Sequence, residues 1–168
     1  MDNNLTVLYE DNQIIVVVKP QNVPTQADSS GDKDLLTMIK EYVKEKYDKP
    51  GEVYIGLVHR LDRPTGGVMV FARTSKAAAR LQEQMKTGFF EKKYLAVTVG
   101  VPRDRQGRLS QYLVKDEKNN MVRVVPAAVE GAKKAELEYK VLEIAGSVAL
   151  VDIRLISGRS HQARVHMQ

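Results

Sequence analysis

The stretch KAELEYKVLEIAGSVALVDIRLI, Lys134 to Ile156, sets the fold class. Lys134 to Ile144 and Ser147 to Ile156 read as two long strands, and Ala145-Gly146 between them reads as a tight antiparallel turn. Working outward, Lys93 to Val99 alternates as a strand should, and Arg103 to Arg108 is a polar, basic turn. Leu109 to Val114 and Met121 to Val125 pair as a hairpin around Lys118-Asn119-Asn120.

The chain before this region is mixed. Thr6 to Tyr9 and Gln13 to Lys19 are short β-branched strands around Glu10-Asp11-Asn12, and Pro20 to Gly31 is a loop. Asp32 or Asp34 caps a helix whose Leu35, Leu36, Ile39, Tyr42 and Val43 share one face, and Pro50-Gly51 stops it. Val53 to Val58 and Val68 to Phe71 are strand-like. Thr74 or Ser75 then caps a second helix with Ala78, Leu81 and Met85 inward, ending near Thr87-Gly88. Many strands, few helices and hairpin connections predict an α+β fold: a mixed, largely antiparallel sheet with a few flanking helices.

Composition bounds the function. The 168 residues are 43% hydrophobic and 28% charged, which fits one compact soluble domain. Ile14 to Val18 and Ser147 to Val151, the longest apolar runs, are far too short to span a bilayer, so no membrane association is expected. No secretion signal opens the chain, and the expected location is the cytoplasm. With no cysteine, the sequence offers no disulfide, thiolate metal site or cysteine nucleophile. Charge is unevenly spread. Residues 1–58 carry 6 basic and 10 acidic side chains, a net of −4, whereas residues 59–168 carry 20 and 11, a net of +9. A basic face of this kind fits a polyanion as partner, or a solvated surface kept for solubility.

Two clusters look like chemistry. His59-Arg60-Leu61-Asp62-Arg63-Pro64-Thr65-Gly66-Gly67 sets polar side chains between two apolar strands, with a proline and two glycines fixing the backbone. Asp62, flanked by Arg60 and Arg63, is expected to stay ionised and to be able to act as nucleophile or base. The other reading makes Asp62 a turn cap and the arginines surface decoration. Gly66-Gly67 lacks the following Lys-Ser/Thr of a nucleotide loop. The second cluster holds Arg159, His161, Arg164 and His166, with no acidic residue after Asp152. It reads either as a solvated basic helix start or as a cation-lined site for phosphate or carboxylate. Metal binding fits poorly, because no carboxylate accompanies the two histidines.

Together the clusters resemble the RluA-type RNA pseudouridine synthases. Residues His59 to Gly67 are similar to that family's first active-site motif, HRLD followed by two variable residues and Thr-Ser-Gly. Lys92-Lys93-Tyr94-Leu95-Ala96-Val97 resembles its second motif, a strand carrying a tyrosine. Leu155 to His166 resembles its third, Gly-Arg-x-His-Gln-x-Arg-x-His, and Leu8 to Pro20 resembles its entry segment. The resemblance implies conversion of uridine to pseudouridine in structured ribosomal or transfer RNA, without cofactor or metal. By that analogy Asp62 is the catalytic carboxylate, Tyr94 stacks on the uracil, and Arg164 pairs with Asp62. Arg60 fills the space of the extruded nucleotide or grips its phosphate, and His59, Arg63, Arg159 and His161 join it as RNA contacts. Asp62 attacking C1′, adding to C6 or removing the 2′ proton are all compatible with the residue types. The base must leave the RNA stack at a cost of a few kcal/mol.

Three departures stand out: Gly66 replaces the usual Ser, Ala163 replaces Ile or Leu, and the chain stops at Gln168. The expectation is therefore a catalytic domain over residues 1–168, incomplete at its C-terminal end, with no N-terminal RNA-binding domain, acting as a monomer. The competing reading is an RNA-binding module without catalysis. A glycoside hydrolase ranks last, because the loop offers no second carboxylate.

Overall fold

The computed structural model describes residues 5–168. They divide into two compact units, one ending at Thr87 and one spanning Gly88–Gln168, each built on its own antiparallel sheet.

The first unit contains β1 (Thr6–Glu10), β2 (Ile14–Lys19), α1 (Leu35–Lys46), β3 (Gly56–Leu57), β4 (Gly67–Ala72) and α2 (Ser75–Thr87), with strand order β1-β2-β4-β3. Asp11 forms the first turn: its Oδ1 accepts the N–H groups of Gln13 and Ile14, both at 2.7 Å. Along β2 every second side chain points inward, so Ile15 and Val17 join Met69 and Phe71 of β4 under Leu35, Ile39 and Val43 of α1. Each such side chain contributes about 1.5–3 kcal/mol when fully buried. Lys19 continues the same alternation and is 0% exposed, a lysine at a core position.

Asp34 caps α1, accepting the Thr37 N–H at 3.1 Å. The helix ends at Lys46, short of Pro50, where the chain turns through Asp48 in a left-handed conformation (φ 44). Thr74 caps α2 through the Ala77 N–H. The inward residue of α2 is Ala77, while the predicted Ala78, Leu81 and Met85 are half-buried. Only Gly56–Leu57 of the predicted strand Val53 to Val58 pairs. Gly56 lies opposite Ala72, the last residue of β4, so the segment before it has no partner strand there. Gly56 also lies close under Ala78 of α2: a Cβ there would come within 3.2 Å of the Ala78 Cβ.

The second unit contains β5 (Lys92–Val99), β6 (Gln106–Asp116), β7 (Met121–Val125), β8 (Lys133–Ala145), β9 (Val148–Leu155) and α3 (Gln162–His166), in the order β5-β9-β8-β6-β7. The hairpin that set the fold class is β8–β9, registered from Ala145↔Val148 to Leu137↔Leu155 with a bulge near Leu142. Gly146 makes its turn at φ 60, a conformation that favours glycine. Leu137, Val141, Ala149, Val151 and Ile153 form the core, against which Tyr94 and Ala96 of β5 pack beside Ala163 and Met167. A five-residue helix has no stability of its own, so α3 depends on this packing. The fold is α+β and antiparallel, as the sequence predicts.

Candidate active site

Residues 58–66 link β3 to β4, and their backbone is bonded down along its length. The Thr65 N–H donates to the Asp62 carbonyl at 3.0 Å, closing a turn on Asp62. Thr25 Oγ1 donates to the Leu61 carbonyl at 2.8 Å, and the Asn22 N–H to the Arg63 carbonyl at 2.8 Å. His59 Nε2 accepts the Val70 N–H at 3.2 Å, which pins the loop's start to β4 and requires that nitrogen to be unprotonated. At the loop's end Gly67 takes φ 150 opposite Lys19.

Lys19 completes the clamp. Its buried ammonium donates to the carbonyls of Pro20 (2.9 Å), Val23 (2.6 Å) and Arg63 (3.0 Å). Burial lowers its pKa, the negative charge of Asp62 counters that, and Arg63 adds to the lowering. Asp62 itself is half-buried between two anchored neighbours. Arg63 is turned elsewhere than the sequence suggests: its guanidinium pairs with Asp32 and lies 3.9 Å from Asp28, in the preceding loop. Arg60 is exposed. In the first unit Lys19 thus holds the Arg63 carbonyl and carries its charge near Asp62, while His59 anchors the loop's start to β4.

Tyr94, Arg159, His161 and Arg164 belong to the second unit. Tyr94 lies mid-β5 opposite Ile153, half-buried against the core. The segment after β9 is stapled by Gln162, which is 2% exposed. Its Nε2 donates to the Glu136 carbonyl at 2.9 Å, and its Oε1 accepts Ser157 Oγ–H at 2.8 Å and the Arg159 N–H at 3.0 Å. Arg159 Nε–H donates to the Lys134 carbonyl at 3.0 Å. His161 begins α3 in the left-handed region (φ 51), and Arg164 is exposed on that helix. His166 is 8% exposed, and neither of its ring nitrogens has a hydrogen-bond partner. Burial lowers its pKa.

Among the described residues no group of three His, Cys, Asp or Glu is placed to hold a metal ion, and no helix is long and apolar enough to cross a membrane. Sequence reasoning missed Lys19 and Gln162 as parts of the site's frame. The signal for Lys19 was available: it falls on the buried parity of an otherwise apolar strand.

Residues 13–168 match the family model described as RNA pseudouridylate synthase. The chain is 35% identical over 167 residues to the dual-specificity RNA pseudouridine synthase RluA of Escherichia coli O6:H1, covering 97% of this chain and 71% of that one. It is 30% identical to the ribosomal large subunit pseudouridine synthase C of Vibrio vulnificus, covering 96% of this chain and 48% of that protein. A human structure, RNA Pseudouridylate Synthase Domain Containing 4, superposes with a TM-score of 0.80 at 30% identity, over 96% of this chain and 62% of that one. The chain spans about half the length of the large-subunit synthases it matches. The family match across both units, together with an HRLD loop clamped around its aspartate, shows that the chain belongs to the RluA-type RNA pseudouridylate synthases.

Proposed function

We propose that this chain isomerises uridine to pseudouridine in structured ribosomal or transfer RNA, with Asp62 as the catalytic carboxylate. One observation carries the reading. Asp62 stands on a loop whose flanking carbonyls are held by Thr25, Asn22 and Lys19, so the backbone that presents its carboxylate is anchored.

The reaction breaks N1–C1′, turns the uracil while it stays bound, and joins C5 to C1′. The C5 proton leaves to solvent and N1 takes one up, so atoms and charge balance without cofactor or metal. Asp62 supplies the negative oxygen that acts on the sugar or ring. Tyr94, packed on the strand core, presents a ring for the uracil to stack on, and Arg164 orients the Asp62 carboxylate. Arg60, His59, Arg159 and His161 are assigned to the RNA, and so is Arg63, whose guanidinium exchanges Asp32 for phosphate on binding; together they offset the cost of extruding the base. The proposal extends to a monomeric enzyme working in the cytoplasm, and light scattering tests its oligomeric state.

The test uses unmodified RNA carrying tritium at uridine C5. The expected outcome is tritium release to water. RNA binding without release at any enzyme concentration contradicts the isomerase and supports a binding module, and free uracil supports hydrolysis.

A further inference from the structure

Lys92 reaches Gly158, the residue before Arg159, which brings two cations into one neighbourhood. Lys92 opens β5, and its Nζ lies 2.8 Å from where a Cβ on Gly158 would sit, so the ammonium rests on bare backbone. Arg159 is the next residue along. Its N–H is held by Gln162 and its Nε–H by the Lys134 carbonyl, which fixes the guanidinium's root and leaves its outer edge exposed. Among the described residues neither cation has a carboxylate partner. Glu136 is taken by Arg108 and Lys134, and Glu91 by Lys93 and Arg154. Burial, and then the charge of Arg159, lower the Lys92 pKa.

Folding gains nothing by holding two like charges together on a rigid frame. An anion does: two neighbouring cations give a phosphate a charge-assisted seat, and Gln162 with the Lys134 carbonyl already holds Arg159 in place for it. We propose that Lys92 and Arg159 form a single phosphate seat that grips one backbone phosphodiester of the RNA. The inference rests on the RNA reading above and adds Lys92 as a recognition residue.

The test measures binding of unmodified ribosomal and transfer RNA transcripts against salt concentration, for wild type, Lys92→Gln, Arg159→Gln, the double variant and Lys92→Arg. Each glutamine variant is expected to weaken binding about tenfold at moderate salt and to lower the salt slope by about 0.7–0.9. The double variant is expected to lose little more than either single, because both cations serve one phosphate. Lys92→Arg is expected to keep most of the affinity. Lys92→Gln should also match or exceed wild type in thermal stability, since it removes a like-charge contact; a purely structural lysine would lose stability instead. Unchanged slopes, or fully additive losses, overturn the shared seat. Tritium release measured on the same preparations separates the two claims. Release with unchanged slopes leaves the isomerase standing and removes the seat; lowered slopes without any release leave the seat and remove the isomerase.

Discussion

The backbones on either side of Asp62 are held by the donors Thr25, Asn22 and Lys19. Arg63, adjacent in sequence, spends its guanidinium on Asp32 while its carbonyl is what Lys19 and Asn22 hold. The motif letters around Asp62 were therefore legible, but the partners of each letter were not, because they come from the loop after β2. Gly66 illustrates the point. A Cβ there would meet Gln21 Cγ at 3.1 Å and the Lys19 carbonyl at 3.4 Å, so the glycine lets the loop lie close to the end of β2. At this scale Arg164 gives the sharpest prediction. If it orients the carboxylate, Arg164→Ala loses turnover by about 10²-fold or more while RNA affinity changes little. Steady-state kinetics beside filter binding checks this, and equal losses in both would reduce Arg164 to a phosphate contact.

Strand β2 and the segment leading into α3 position the two halves of the motif set, and each does so through one buried polar side chain. Lys19→Met keeps the volume but leaves the carbonyls of Pro20 and Val23 without their donor and removes one of the two donors to the Arg63 carbonyl. It should cost about 2–4 kcal/mol, read as a lower urea midpoint. Gln162→Leu strips partners from Ser157, Arg159 and the Glu136 carbonyl and should cost about 2–3 kcal/mol. Unchanged midpoints would show that these clamps are replaceable by water. The hairpins and both longer helices were legible, because period-2 alternation, turn glycines and capping residues are local signals. Val53 to Val58 was over-read for the opposite reason: pairing depends on where β4 ends, which no local pattern states. Helix α3 likewise depends on packing against the β8–β9 core rather than on propensity.

For the whole chain, charge and burial set the response to conditions. The net of +9 over residues 59–168 predicts RNA binding that weakens steeply with salt. His166, buried and unbonded, stays neutral in the fold with its pKa below the ordinary 6.5. The unfolded chain binds that proton more readily. Its contribution to stability is therefore complete above about pH 6.5 and is lost as pH falls towards the folded-state value. Melting temperature against pH should fall less steeply in His166→Leu than in wild type over that window, and identical acid limbs would contradict the assignment. In the proposed reaction the Asp62 carboxylate performs the isomerisation. Nucleoside analysis of RNA incubated with wild type or Asp62→Asn, with binding measured on the same preparations, tests it most directly. Pseudouridine is expected from wild type alone, at equal RNA affinity for both proteins; equal pseudouridine from both would rule out Asp62 as the catalytic group.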